Sequence, residues 1–140
     1  DSIFLSQSPA RCFDVALAEL VNPAITRNQT VLKIHTSHGI PQTAILHSPR
    51  GKLRCLVDAE YWDKTLGILG TDYTFKKVIQ FRLENGEHTQ QGDSGSALVT
   101  EQGEWLGMHF YYSPNDKSSY AQPAASLLAA FRKKKLELAL

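Results

Sequence analysis

Gln91-Gly92-Asp93-Ser94-Gly95-Ser96-Ala97-Leu98-Val99 is the stretch on which the reading of this chain turns. A serine stands between glycines and the chain then runs straight into an apolar, strand-like segment. Glycine on both sides lets the backbone turn sharply and come close to another molecule, which places Ser94 at an exposed tip. In that geometry the amides of Gly92 and Ser94 can converge on a developing oxyanion, and Ser94 reads as a nucleophile. Clusters of Gly, Asp and Ser also make plain turns. The flanks decide between the two.

Upstream, Phe75 to Leu83 sets Val78, Gln80 and Arg82 against Ile79, Phe81 and Leu83, the alternation of a strand. Asn85-Gly86 then signals a tight turn. Downstream, Ser96 to Thr100 and Glu104 to Phe110 read as a hairpin around Gln102-Gly103. Beyond a polar loop, Tyr111 to Ser119, the apolar positions Ala124, Leu127, Leu128 and Phe131 after Pro123 predict an amphipathic helix over about residues 123–136. Toward the N-terminus, Val31 to His35, Thr43 to His47 and Leu53 to Val57 are short strand-like pieces. They are separated by Gly39-Ile40-Pro41 and Pro49-Arg50-Gly51, and this spacing predicts an all-β barrel or sandwich. Tyr61 to Thr74 shows no periodicity, and Gly67, Gly70 and Asp72 there predict loop.

The 140 residues, 42% of them hydrophobic, suffice for one domain with a real core. A net charge of +1, from 15 basic and 14 acidic residues, provides no overall field toward nucleic acid or an anionic membrane. The run Arg132-Lys133-Lys134-Lys135 is expected to be a solvated last helical turn. Neither a membrane-span pattern nor a signal peptide is read, and the start at Asp1 is expected of a processed or trimmed chain. Cys12 and Cys55 are expected as two buried thiols, one disulfide being the alternative. His35-x-x-His38 lacks a third ligand, and there is no phosphate loop or dinucleotide fingerprint, so no metal or cofactor is expected.

Gly92-Asp93-Ser94-Gly95-Ser96 resembles the nucleophile motif of the trypsin-like (chymotrypsin-fold) serine peptidases, which in many bacterial members reads Gly-Asp-Ser-Gly-Ser. Other segments follow in the family's order. Asp14-Val15-Ala16-Leu17 resembles the segment that carries the triad aspartate, although an Asp before good helix formers also suits a helix cap. Val31 to Gly39 resembles the hairpin opening the second barrel, with His35 and His38 where the family has Gly and Thr. The hairpin after Ser94 and the helix entered through Ala121-Gln122-Pro123 complete a resemblance over about residues 12–131. It implies a six-stranded antiparallel β-barrel with a C-terminal α-helix over residues 21–140, and residues 1–20 as an arm of an N-terminal barrel.

The resemblance further implies Ser94 and Asp14 as catalytic residues and the Gly92 and Ser94 amides as the oxyanion hole. The family's histidine base precedes the aspartate, yet no histidine stands before Asp14. His35, His38, His47, His88 and His109 each have an ordinary structural reading, and none matches the base by position. The base is therefore expected from an absent or separate N-terminal segment acting on a peptide or protein substrate, and the isolated chain is expected to be inactive. An inactive barrel serving as a protein-binding module is the alternative. Thr89, five residues before Ser94, and His109 resemble the glutamyl endopeptidases, in which such a pair holds an acidic side chain. A hydroxyl and an imidazole can both donate to a carboxylate, and His88 is placed in the same pocket. The ordinary reading is a strand-end hydroxyl and a histidine bonded to backbone. Tyr111 and Tyr112 stand where those enzymes have glycines.

Overall fold

The computed structural model describes residues 2–4, 16–18, 33–36 and 39–133, with side chains from residue 33 onward. Cys12, Asp14 and His38 lie outside them. Strands β1 (Ser2–Phe4) and β2 (Ala16–Ala18) form an antiparallel pair, Ile3 opposite Leu17. The rest of the chain gives β3 (Lys33–Ile34), β4 (Thr43–Ser48), β5 (Gly51–Ile68), β6 (Thr71–Leu83), β7 (Ala97–Val99), β8 (Glu104–Ser113), β9 (Ser118–Pro123) and helix α1 (Ala124–Lys133).

Strand neighbours run β8-β7-β4-β5-β6-β9, and β9 returns to pair with β8. All these pairings are antiparallel, so the expected six-stranded barrel is closed and followed by its helix. Closure removes the open sheet edges that would otherwise invite aggregation. β3 adds in parallel at the start of β8, Lys33 opposite Glu104.

The period-two pattern sets the core. Ile79, Phe81 and Leu83 point inward and meet Leu46, Leu98 and Leu106, while Arg82 faces solvent. Each such large apolar side chain contributes about 1.5–3 kcal/mol when buried. Helix α1 begins directly after Pro123 and buries Ala124, Leu127 and Phe131, leaving Arg132 and Lys133 at its negative end. Cys55 is a buried free thiol, pushed up to about 12 chiefly by burial.

The loop expected over Tyr61 to Thr74 is instead strand. β5 and β6 stay paired from Glu60 opposite Ile79 out to Ile68 opposite Thr71, a two-stranded ribbon that turns at Leu69-Gly70. A register shift between Val57 and Ala59 falls just before this stretch, and such irregularities bend a strand. Periodicity fails because the ribbon buries a few scattered residues: Leu66, Phe75 and Val78 pack against Phe110 and Tyr120, while Tyr61 and Trp62 are exposed.

Candidate active site

The loop from His88 to Ser96 joins β6 to β7 after the turn at Asn85-Gly86, where Gly86 N donates to the Leu83 carbonyl at 3.3 Å. Its own hydrogen bonds fix most of its backbone. Asp93 N donates to Gln90 O (3.0 Å), Ser96 N to Asp93 O (3.1 Å) and Gly95 N to His109 O (2.8 Å), and His109 N donates back to Ser96 O (2.9 Å). The amides of Gly92 and Ser94 make no hydrogen bond among the described residues. Gly92 has φ 96°, which an L side chain rarely adopts. A Cβ there would meet nothing within 4 Å, so backbone conformation and not space demands glycine. Ser94 is exposed, and its Oγ makes one long hydrogen bond, 3.4 Å, to the Phe110 carbonyl.

Sequence reading missed what holds this loop from beneath. Asp93 is 1% exposed, and a carboxylate in that position needs partners. Ser48 Oγ donates to Oδ1 at 2.6 Å, Arg50 Nη2 to Oδ2 at 2.7 Å, Arg50 Nε to Oδ1 at 3.3 Å and Gln90 N to Oδ2 at 2.8 Å. Ser48 ends β4 and Arg50 lies in the two-residue turn Pro49-Arg50 that leads into β5, where Ser48 pairs with Gly51. The Arg50 guanidinium, with the Gln90 amide and the Ser48 hydroxyl, holds the Asp93 carboxyl well below the usual carboxylate range against the cost of burial. Nothing in the polar stretch around Asp93 signals its burial or its cation.

Among the described residues Ser94 is bonded to no histidine. His35 bonds the Glu104 carboxylate through Nδ1 (2.7 Å) and the Gly39 carbonyl through Nε2 (3.1 Å). His47 is exposed, and the His88 ring packs on Tyr112 with centroids 4.8 Å apart. His109 is buried, and its Nδ1 donates to the Tyr120 carbonyl at 3.0 Å. Burial pushes the His109 imidazole below its ordinary value. Thr89 is buried as well and its hydroxyl meets Ser119 Oγ at 2.8 Å. Thr89 and His109 thus contact adjacent residues of β9.

A pocket of about 220 Å³ opens nearby, lined among others by Arg82, Glu87, His88, Tyr112, Lys117 and Ser119. His88 is among the lining residues of this pocket, and Thr89 stands one hydrogen bond behind its wall, through Ser119. Arg82 is paired with Asp58 at 2.9 Å, and Lys117 makes no ion pair among the described residues. No group of three or more His, Cys, Asp or Glu side chains gathers as a metal site among the described residues.

No protein-family model matches the chain, and no curated protein does. Solved structures do. The active form of the Rv3671c protease of M. tuberculosis superposes with a TM-score of 0.57 at 17% identity, covering 78% of this chain and 50% of that one. An inactive form of the same protease, a serine-to-alanine mutant, gives a TM-score of 0.60 at 15% identity over 95% of this chain and 64% of that one. At this identity the likeness is one of fold: the six-stranded ring and its helix form a barrel of the chymotrypsin type, as in serine protease domains. The chain spans about half to two thirds of the length of these neighbours.

Proposed function

We propose that this chain is the catalytic barrel of a serine endopeptidase in which Ser94 attacks the peptide carbonyl. The observation that carries the reading is the pair of unengaged amides, Gly92 and Ser94, beside an exposed serine whose neighbouring Asp93 is clamped in the core. Donors fixed before the reaction stabilise an oxyanion without reorganising, and one such donor is worth about 10²–10³ in rate. The Ser94 proton passes to a histidine outside the described residues, which Asp14 orients, and then to the leaving amine. Water reverses the sequence to release the acyl group. By the motif's order, that histidine belongs to a segment preceding Asp14.

β8 supports the reading too. Its pairing with β7 ends at Met108, so among the described residues Tyr111 to Ser113 pair with β9 alone, just past the Phe110 carbonyl that Ser94 meets. A strand with one free side accepts an extended peptide. In the pocket Arg82 is paired with Asp58, and Lys117 makes no ion pair among the described residues, so an acidic substrate side chain would meet Lys117, with Thr89 behind the wall through Ser119. In the complete protein, peptides differing at the residue before the scissile bond should be cut about tenfold faster with Glu or Asp than with Lys, on the scale of one charge-assisted hydrogen bond. Ser94→Ala should abolish cleavage, and His109→Ala should cost most with acidic substrates. Equal losses across acidic, basic and aromatic substrates would show that His109 supports the barrel and does not read the substrate. A complete, folded protein that cuts none of them would favour the protein-binding barrel.

A further inference from the structure

Beyond the barrel, β6 has a strand neighbour on one side alone. β9 pairs with it only from Ile79 to Phe81 and β5 covers its opposite side, so among the described residues 71–78 keep an uncovered edge. Such an edge presents unpaired amides and carbonyls to any extended chain, and proteins ordinarily guard it. The outer edge of β5 is guarded by its backbone: Asp63 sits in the left-handed region, φ 50°, and interrupts the pleat midway along the ribbon. Residues 71–78 hold neither a positive φ nor a proline, and only their charges guard them.

Side chains along this edge form two rows. Asp72, Thr74 and Lys76 share the outer face: Asp72 and Lys76 are exposed, the Thr65 and Thr74 hydroxyls meet across the ribbon at 2.9 Å, and a Cβ on Gly67 would lie 3.3 Å from Asp72 Oδ1. Tyr73 and Phe75 belong to the inner face, in the cluster with Phe110 and Tyr120. A second β6 laid antiparallel along the edge, with a twofold axis at Thr74, sets Asp72 opposite Lys76 of the other copy on both sides of the axis. Thr74 then faces Thr74, and Tyr73 faces Phe75. Opposite charges, paired threonines and paired aromatics are the cross-strand combinations that stabilise a sheet. An axis at Asp72 or Lys76 would put like charges face to face, and an axis at Tyr73 or Phe75 would leave both charges unmatched. The charges that turn other chains away therefore admit one register of this chain itself.

We propose that β6 pairs with β6 of a second copy through residues 71–77, joining the two ribbons into one four-stranded antiparallel sheet. The interface is isologous, as a twofold requires, and it carries the apolar inner layer across from one copy to the other. Nothing in it depends on the reading of Ser94.

The test is sedimentation of the complete protein at micromolar concentration, with far-UV circular dichroism to show that each variant is folded. The wild type should sediment as a dimer. Asp72→Lys and Lys76→Asp, each alone, set like charges opposite and should be monomers. Mixed in equal amounts they should dimerise again, because one chain then offers two lysines to two aspartates of the other. Lys76→Ala removes the attraction without adding repulsion and should raise the dissociation constant about tenfold, two charge pairs being lost per dimer. A monomeric wild type, charge-reversed variants that dimerise as the wild type does, or a folded mixture that stays monomeric would each overturn the proposal. Should either reversal fail to fold, Lys76→Ala decides alone, and an unchanged dissociation constant overturns it.

Discussion

Asp93 shows how one side chain shapes the site around its neighbour. With its carboxylate bonded by Ser48, Arg50 and the Gln90 amide, the peptide units on either side are held, while the Gly92 and Ser94 amides make no hydrogen bond among the described residues. Arg50→Ala removes the cation and leaves a buried carboxylate with neutral donors only, so the loop should loosen and acylation of Ser94 should slow by about tenfold or more. The same pairing sets a pH dependence. Asp93 is held below its ordinary value, so its contribution to stability is complete above about pH 4 and is lost as pH falls toward the folded value. Thermal melts between pH 2 and 6 should therefore show a shallower acid-side loss for Arg50→Ala than for the wild type. An identical slope would mean the pair is not coupled to folding. Ser94 and its glycines were legible in sequence because the motif is local. Arg50 was not, because it lies 43 residues away and a turn arginine has no pattern.

At the scale of elements, β8 bears the most constraint, pairing with β3, β7 and β9 while its Phe110 carbonyl meets Ser94. Gly107 is where that crowding is tightest: a Cβ there would lie 2.5 Å from the Gln122 carbonyl oxygen of β9. Backbone cannot yield as a side-chain end can, so Gly107→Ala should destabilise by about 1–3 kcal/mol, the range for overpacking, in urea unfolding. An unchanged midpoint would show that β8 and β9 are more loosely paired than described. β6, the β7–β8 hairpin and α1 were readable because each buries one regular face. The ribbon was not: its residues pack on Phe110 and Tyr120 from afar, and its turn carries Leu69 where turn chemistry calls for Asn. The cavity lined by His88 also takes Arg82 and Lys117, which lie apart in sequence and carried no local signal.

For the whole molecule, folding of the ring brings together two stretches far apart in sequence, the turn at Arg50 and the loop at Ser94, and ties the ribbon to β8 through the Tyr111–Gly67 hydrogen bond. What these residues provide is an exposed serine on a hydrogen-bonded loop, beside two amides that make no hydrogen bond among the described residues. What they do not provide, among those described, is a histidine at Ser94. A serine at its ordinary pKa is a poor nucleophile without such a base, so reactivity at Ser94 reports both the loop and the base at once. The direct measurement is therefore covalent labelling by a fluorophosphonate, followed by peptide mapping, on the complete protein and on residues 1–140 alone. We expect a single adduct on Ser94 in the complete protein, forming far faster than in the isolated chain. A complete, folded protein left unlabelled at Ser94, or an isolated chain labelled just as fast, would contradict the account.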